Sequence, residues 1–66
     1  MAVVKVIEIL AQSDESWEDA VQKALKEASK TVRNIQNIYV KDFQAVVESN
    51  EIVAYRVNTK ISFLVE

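Results

Sequence analysis

Residues 35–66 read IQNIYVKDFQAVVE, then SNE, then IVAYRVNTKISFLVE. The last run alternates well. Val53, Tyr55, Val57, Thr59, Ile61, Phe63 and Val65 make one face of a strand over 52–65, and Arg56, Asn58, Lys60 and Ser62 lie on the other. The run over 35–48 is rich in β-branched and aromatic residues, but neither of its faces is purely polar. Its odd positions carry Ile35, Asn37, Tyr39, Lys41, Phe43, Ala45 and Val47, and its even positions carry Ile38, Val40 and Val46 among Gln36, Asp42 and Gln44. Ser49-Asn50-Glu51 is a short turn between them, so the two strands are expected to pair antiparallel as a hairpin. Asn50 supplies the turn conformation that Gly would otherwise supply. This hairpin commits half the chain to an antiparallel sheet.

Upstream of it the period changes. Trp17, Ala20, Val21, Ala24, Leu25, Ala28 and Val32 recur at spacings of one, three and four, the stripe of a helix packed on one side. Ser16 is placed to cap it, with Asp19 three residues on in a capping-box-like arrangement. Glu18 and Asp19 suit the positive end of the helix dipole, and Lys26, Lys30 and Arg33 suit the negative end. Asp19 and Lys23 stand at i,i+4 in the favourable order. Asn34 can take a left-handed conformation and stop the helix. Further upstream, past the polar break Ser13–Ser16, the run over 2–11 holds Val3, Val4, Val6, Ile7, Ile9 and Leu10, a strand apolar on both faces. The expected architecture is α+β in the order β-α-β-β, a three-stranded antiparallel sheet packed on one helix, in one domain spanning residues 1–66.

Composition sets limits on function. The chain has no Cys and no His, which removes disulfides, thiolate nucleophiles, His-based triads and zinc sites with Cys or His ligands. The remaining acid–base candidates, carboxylates, Tyr and Lys, show no telling spacing, so no enzyme is expected. With 8 basic and 10 acidic residues the formal charge is −2, which argues against nucleic acid as a partner. No apolar run approaches 18 residues, so no membrane span is expected. The first ten residues, MAVVKVIEIL, read as a strand rather than as an export signal, and a cytoplasmic location is the default expectation.

Size adds a second limit. A 66-residue chain hides only about 60% of the surface its unfolded form exposes. Chains this small gain stability from disulfides, metals or self-association, and only the last is well served here. One helix covers one face of the sheet, yet the strands over 2–11 and 35–48 are apolar on both. The spare face is therefore expected to be an interface between copies, each Å² of apolar surface buried there gaining about 25 cal/mol.

At this point the order of residues resembles a known family. Lys5-Val6-Ile7-Glu8, then Ser16-Trp17, then Ala28-Ser29-Lys30-Thr31-Val32-Arg33-Asn34-Ile35, then Ala54-Tyr55-Arg56-Val57 and a closing Phe63 are similar to the series of short motifs in the dodecins, at the same spacing over essentially the whole chain. The resemblance implies a hollow homododecamer that binds flavin, riboflavin or FMN, in pockets between subunits, and stores it rather than reacting with it. It also implies which positions touch the ring. Asn37 stands where flavin-binding members carry a stacking Trp, Arg56 stands where they carry a Gln that reads the ring's polar edge, and Asp42 keeps the acidic position. A guanidinium only donates hydrogen bonds, whereas an amide donates and accepts. Flavin binding is accordingly expected to be weakened or lost. Tyr39, two residues from Asn37 and on its face in a regular strand, is a candidate replacement for the ring, as is Phe43, although interface packing is the simpler role for both.

At both altered positions the chain resembles the members without the stacking Trp, the calcium dodecins among them. Calcium needs six to eight oxygen ligands. Asp42, Glu48, Glu51 and Glu66 could supply carboxylates if symmetry brought copies together, although the two in the turn read more simply as solvated. The metal ligands themselves stay unassigned. The alternatives to a flavin-weakened storage shell are therefore a true flavin-sequestering dodecin, and a flavin-free shell that binds calcium or is purely structural. Two further features have plainer readings. Trp17 opens the helical stripe and reads as core. Arg56, Asn58 and Lys60 form a polar strip that reads as solvated or salt-bridged between subunits.

Overall fold

A computed structural model describes residues 3–65. The element order is β1 (Val3–Ser13), α1 (Trp17–Ala28), β2 (Ile35–Glu48) and β3 (Glu51–Val65). β3, the most regularly alternating run, is the central strand. β1 and β2 flank it in the order β1-β3-β2, both antiparallel to it. The helix thus joins two strands that run parallel to one another with a third between them, a split β-α-β unit closed by the hairpin. The expected class and order hold.

The core lies between the helix and the odd-numbered face of β3. Val57, Thr59 and Ile61 are fully buried there, against Ala20, Ala24 and Ala28 of α1. Ile7, Ile9 and Ala11 pair with Ile61, Thr59 and Val57 and extend that face across β1. Thr59 is tolerated at the centre because its hydroxyl donates to the Ile9 carbonyl at 2.8 Å. Three alanines let the helix approach the sheet closely, which matters in a domain with so little volume to fill.

The helix is shorter than its apolar spacing suggests. Twelve residues are helical, Trp17–Ala28, although the apolar spacing runs on to Val32. Ser29 ends the helix with its side chain donating to the Lys26 carbonyl at 2.8 Å. Thereafter Lys30 and Thr31 bond three residues back, to Glu27 and Ala28, in a tighter turn. Ser and Thr compete for backbone groups in this way, and Val32 lies outside the helix with its N–H bonded to the Ala28 carbonyl at 2.9 Å. Asn34 does take a left-handed conformation, at φ 61°, but as the pivot into β2. Its carbonyl accepts the Leu64 N–H at 3.1 Å and ties that pivot to β3.

At the other end Ser16 caps α1 as expected, its hydroxyl accepting the Asp19 N–H at 3.0 Å. The return half of a capping box is absent, because the Asp19 carboxylate takes a hydrogen bond from Ser13 instead, at 2.5 Å. Ser13, only 2% exposed, is thus the last residue of β1 and the hub of the β1–α1 turn, not a polar break. β1 also runs two residues further than the sequence boundary at 11, and β3 begins one residue earlier, at Glu51. Ala2 and Glu66 lie outside the described residues. In the hairpin turn both Ser49 and Asn50 have positive φ, 52° and 64°, as a two-residue primed turn requires.

β2 is the strand whose faces the sequence left mixed, and three register shifts explain them. The decisive one lies between Val40 and Asp42. Val40 pairs with Thr59 and Asp42 with Asn58, so Lys41 is an extra residue, a β-bulge. Before it the even residues Ile38 and Val40 face the helix. After it the odd residues Phe43 and Ala45 do, opposite Val57 and Tyr55.

Candidate functional site on the outer face of the sheet

The face of the sheet away from the helix carries the three positions that the family resemblance singled out, Asn37, Asp42 and Arg56. Cross-strand partners share a face, so the register defines rows across the three strands. Gln12, Arg56 and Gln44 form one row; Leu10, Asn58 and Asp42 the next; then Glu8, Lys60 and Tyr39; then Val6, Ser62 and Asn37. The bulge at Lys41 makes this set possible. Without it Asp42 would turn towards the helix.

The same bulge corrects one candidate. Tyr39 does share the face of Asn37, and at 61% exposure it presents an aromatic ring to the outside. Phe43 does not share it. Its ring packs edge-on against Trp17 at 6.0 Å between centroids, and Trp17 also meets Tyr55 at 5.0 Å. Trp17 is more exposed than a core residue should be, at 36%. It works as a clamp, its indole N–H donating to the Gln44 carbonyl at 2.9 Å and fixing the start of the helix to the hairpin.

Two of the site side chains are already engaged within the chain. The Asn37 side-chain oxygen accepts a short hydrogen bond from the Ser62 hydroxyl. Arg56 donates through both Nε and Nη2 to the Gln12 side-chain oxygen, at 3.2 and 2.8 Å. Gln12 and Ser62 are partners that sequence reasoning missed as site residues. The signal for Ser62 was its place on the polar side of β3; that for Gln12 required the β1–β3 register. Between them lies the one buried side-chain polar atom without a partner among the described residues, Oδ1 of Asn58.

Around this polar strip the outer face is apolar and open: Val4, Val6 and Leu10 are 56, 52 and 64% exposed. No group of three carboxylates comes together among the described residues: of the calcium candidates, Glu48 and Glu51 pair across the hairpin tip, and Asp42 stands apart from them, opposite Asn58. Glu66 lies outside the described residues. No described helix is long and apolar enough to cross a membrane.

A split β-α-β module of this size, with a polar strip on an uncovered sheet face, defines a narrow class of small folds. The sequence profile of the dodecin family matches residues 3–66. The chain belongs to the dodecin family. It is 35% identical over 63 residues to the calcium dodecin of Mycobacterium tuberculosis, covering 96% of this chain and 89% of that one. It is 31% identical over 64 residues to the dodecin of Thermus thermophilus, covering 97% and 93%. Among solved structures, that of a Thermus thermophilus protein superposes with a TM-score of 0.94 at 30% identity, over 100% of this chain and 97% of the other. The crystal structure of the Mycobacterium tuberculosis calcium dodecin, described as calcium-chelating with a novel calcium-binding site, superposes at 0.85 with 33% identity, over 97% and 91%.

Proposed function

We propose that this chain is a non-catalytic, self-assembling ligand-binding protein, a hollow homododecamer of the dodecin type, in which flavin binding is weak or lost. The observation that carries this reading is the state of the two altered positions. Asn37 offers no ring to stack on and spends its oxygen on Ser62. Arg56 offers donors only, and two of them are held by Gln12. Loss of one stacking partner alone removes about 1–3 kcal/mol, roughly a 5- to 150-fold loss of affinity. Tyr39 on the same face is packing for a neighbouring copy in this reading. The acidic net charge accords with a small-molecule ligand rather than nucleic acid.

The test is fluorescence. Riboflavin or lumichrome added to micromolar protein keeps its emission, whereas the double variant Asn37→Trp, Arg56→Gln, still an intact oligomer, quenches it. Protein that purifies yellow, or quenches as it stands, is a true flavin-sequestering dodecin, and the reading fails.

A second reading, calcium binding, is favoured by the likeness to a relative named for calcium. One described chain does not gather six to eight oxygens, so the ion would sit between copies, with Asp42 as the carboxylate already on the outer face. Titration calorimetry with calcium is expected to show heat for the wild type and none for Asp42→Asn; equal heats for both remove Asp42 from the site.

A further inference from the structure

β2 and β3 continue past the end of β1. The last β1–β3 pair is Ser13 with Tyr55, whereas β2 and β3 stay paired through Val46–Ala54, Val47–Ile52 and Glu48–Glu51. The result is a two-stranded arm. Its tip exposes Val47, Ile52 and Val53, beside Glu48 and Glu51, which make no ion pair among the described residues. The primed turn at Ser49-Asn50 holds that tip in one shape. A bare two-stranded hairpin is marginal in water, and an apolar tip on it is a surface in need of a partner.

The opposite end of the molecule has the complementary chemistry. A groove of about 460 Å³ lies between the C-terminal end of α1 and the start of β2, floored by Leu25, Val32 and Ile35 with Lys26 on its wall. Arg33 lines the adjoining depression. Neither Lys26 nor Arg33 makes an ion pair among the described residues. An apolar tip flanked by two carboxylates and an apolar groove flanked by two cations match in polarity and in charge. They cannot meet within one chain, because the thirteen residues of strand from Ile35 to Val47 span roughly 40 Å.

We propose that the hairpin tip of one copy seats in the α1–β2 groove of the next, with Glu48 and Glu51 facing Lys26 and Arg33. This rests on the self-assembly reading above and adds its connection rule. The contact is head-to-tail, so each copy both gives an arm and receives one, and such contacts close into rings when the rotation allows.

The absence of Cys makes the test direct. Ile52→Cys combined with Val32→Cys places the only two thiols at tip and groove. Mild oxidation is expected to give a ladder above the monomer on a non-reducing gel that collapses with reductant. Ile52→Cys with Lys23→Cys, which lies outside the groove lining, gives none. An oligomer of unchanged mass by light scattering with both thiols still free overturns the proposal while leaving self-assembly standing. A monomer by light scattering overturns both. Independently, Glu48→Lys with Glu51→Lys is expected to lower the particle mass, and adding Lys26→Glu with Arg33→Glu to restore it. Reversal without loss of mass, or loss without rescue in folded protein, counts against the ion pairing.

Discussion

At the scale of single residues, Ser13 has more influence than its size suggests. Its hydroxyl donates to Asp19 and accepts the backbone N–H groups of Glu15 at 2.9 Å and Ser16 at 3.4 Å, so one buried oxygen organises the turn and the first turn of the helix. Asp19 adds an ion pair to Lys23 at 3.1 Å. The Ser13 hydrogen bond, and then Lys23, hold the Asp19 carboxyl below its ordinary value of 3.8. A carboxyl depressed in the folded state stabilises the fold above its ordinary pKa, and that contribution is lost as pH falls through the depressed value. Ser13→Ala is therefore expected to move the Asp19 titration, followed by NMR, up towards 3.8, and to shift acid unfolding to higher pH. At neutral pH, loss of the turn hydrogen bonds costs about 1 kcal/mol. An acid limb identical to wild type would show that the hydroxyl does not tune the carboxyl.

At the scale of elements, the helix–sheet contact depends on small side chains. Ala20, Ala24 and Ala28 face the sheet with almost no exposed surface, so there is no room for a larger residue. Ala24→Leu is expected to lower stability to denaturant by about 1–3 kcal/mol through overpacking, although it preserves helix propensity; an unchanged midpoint would mean that the helix floats on the sheet. The elements also show what sequence alone makes legible. Local signals survived: Ser16 as cap, the turn at Ser49-Asn50, the alternation of β3. Signals that needed a neighbour did not. Val32 keeps a helical spacing after the backbone has left the helix at Ser29, so side-chain pattern and backbone state separate there. The bulge at Lys41 is written in β2 as a switch from even apolar positions (Ile38, Val40) to odd ones (Phe43, Ala45), but only pairing with Thr59 and Asn58 reveals it. The site follows suit. Asn37, Asp42 and Arg56 are candidates by resemblance alone, whereas the hydrogen-bond partners Ser62 of Asn37 and Gln12 of Arg56 come from register.

At the scale of the whole molecule, shape argues that a single chain is not the working unit. Its radius of gyration is 13.5 Å and its extents are 52 × 19 × 13 Å, against roughly 11 Å for a compact domain of this length. Leu10 decides between a free chain and an assembled one. It lies on the outer face opposite Asn58, and it is 64% exposed in the single chain. If that face met only water, Leu10→Thr would change stability by no more than about 0.5 kcal/mol, as surface substitutions do. If a neighbouring copy covers it, the same change removes a buried branched side chain and puts a hydroxyl in its place, a loss on the scale of about 2–4 kcal/mol. The covered case is expected. It is to be read as a lower Tm for Leu10→Thr, together with a wild-type Tm that rises with protein concentration, because association stabilises only the folded form. The two outcomes stand or fall together: a Tm unmoved by Leu10→Thr and independent of concentration would leave the outer face exposed to solvent, and with it every site position from Asn37 to Arg56.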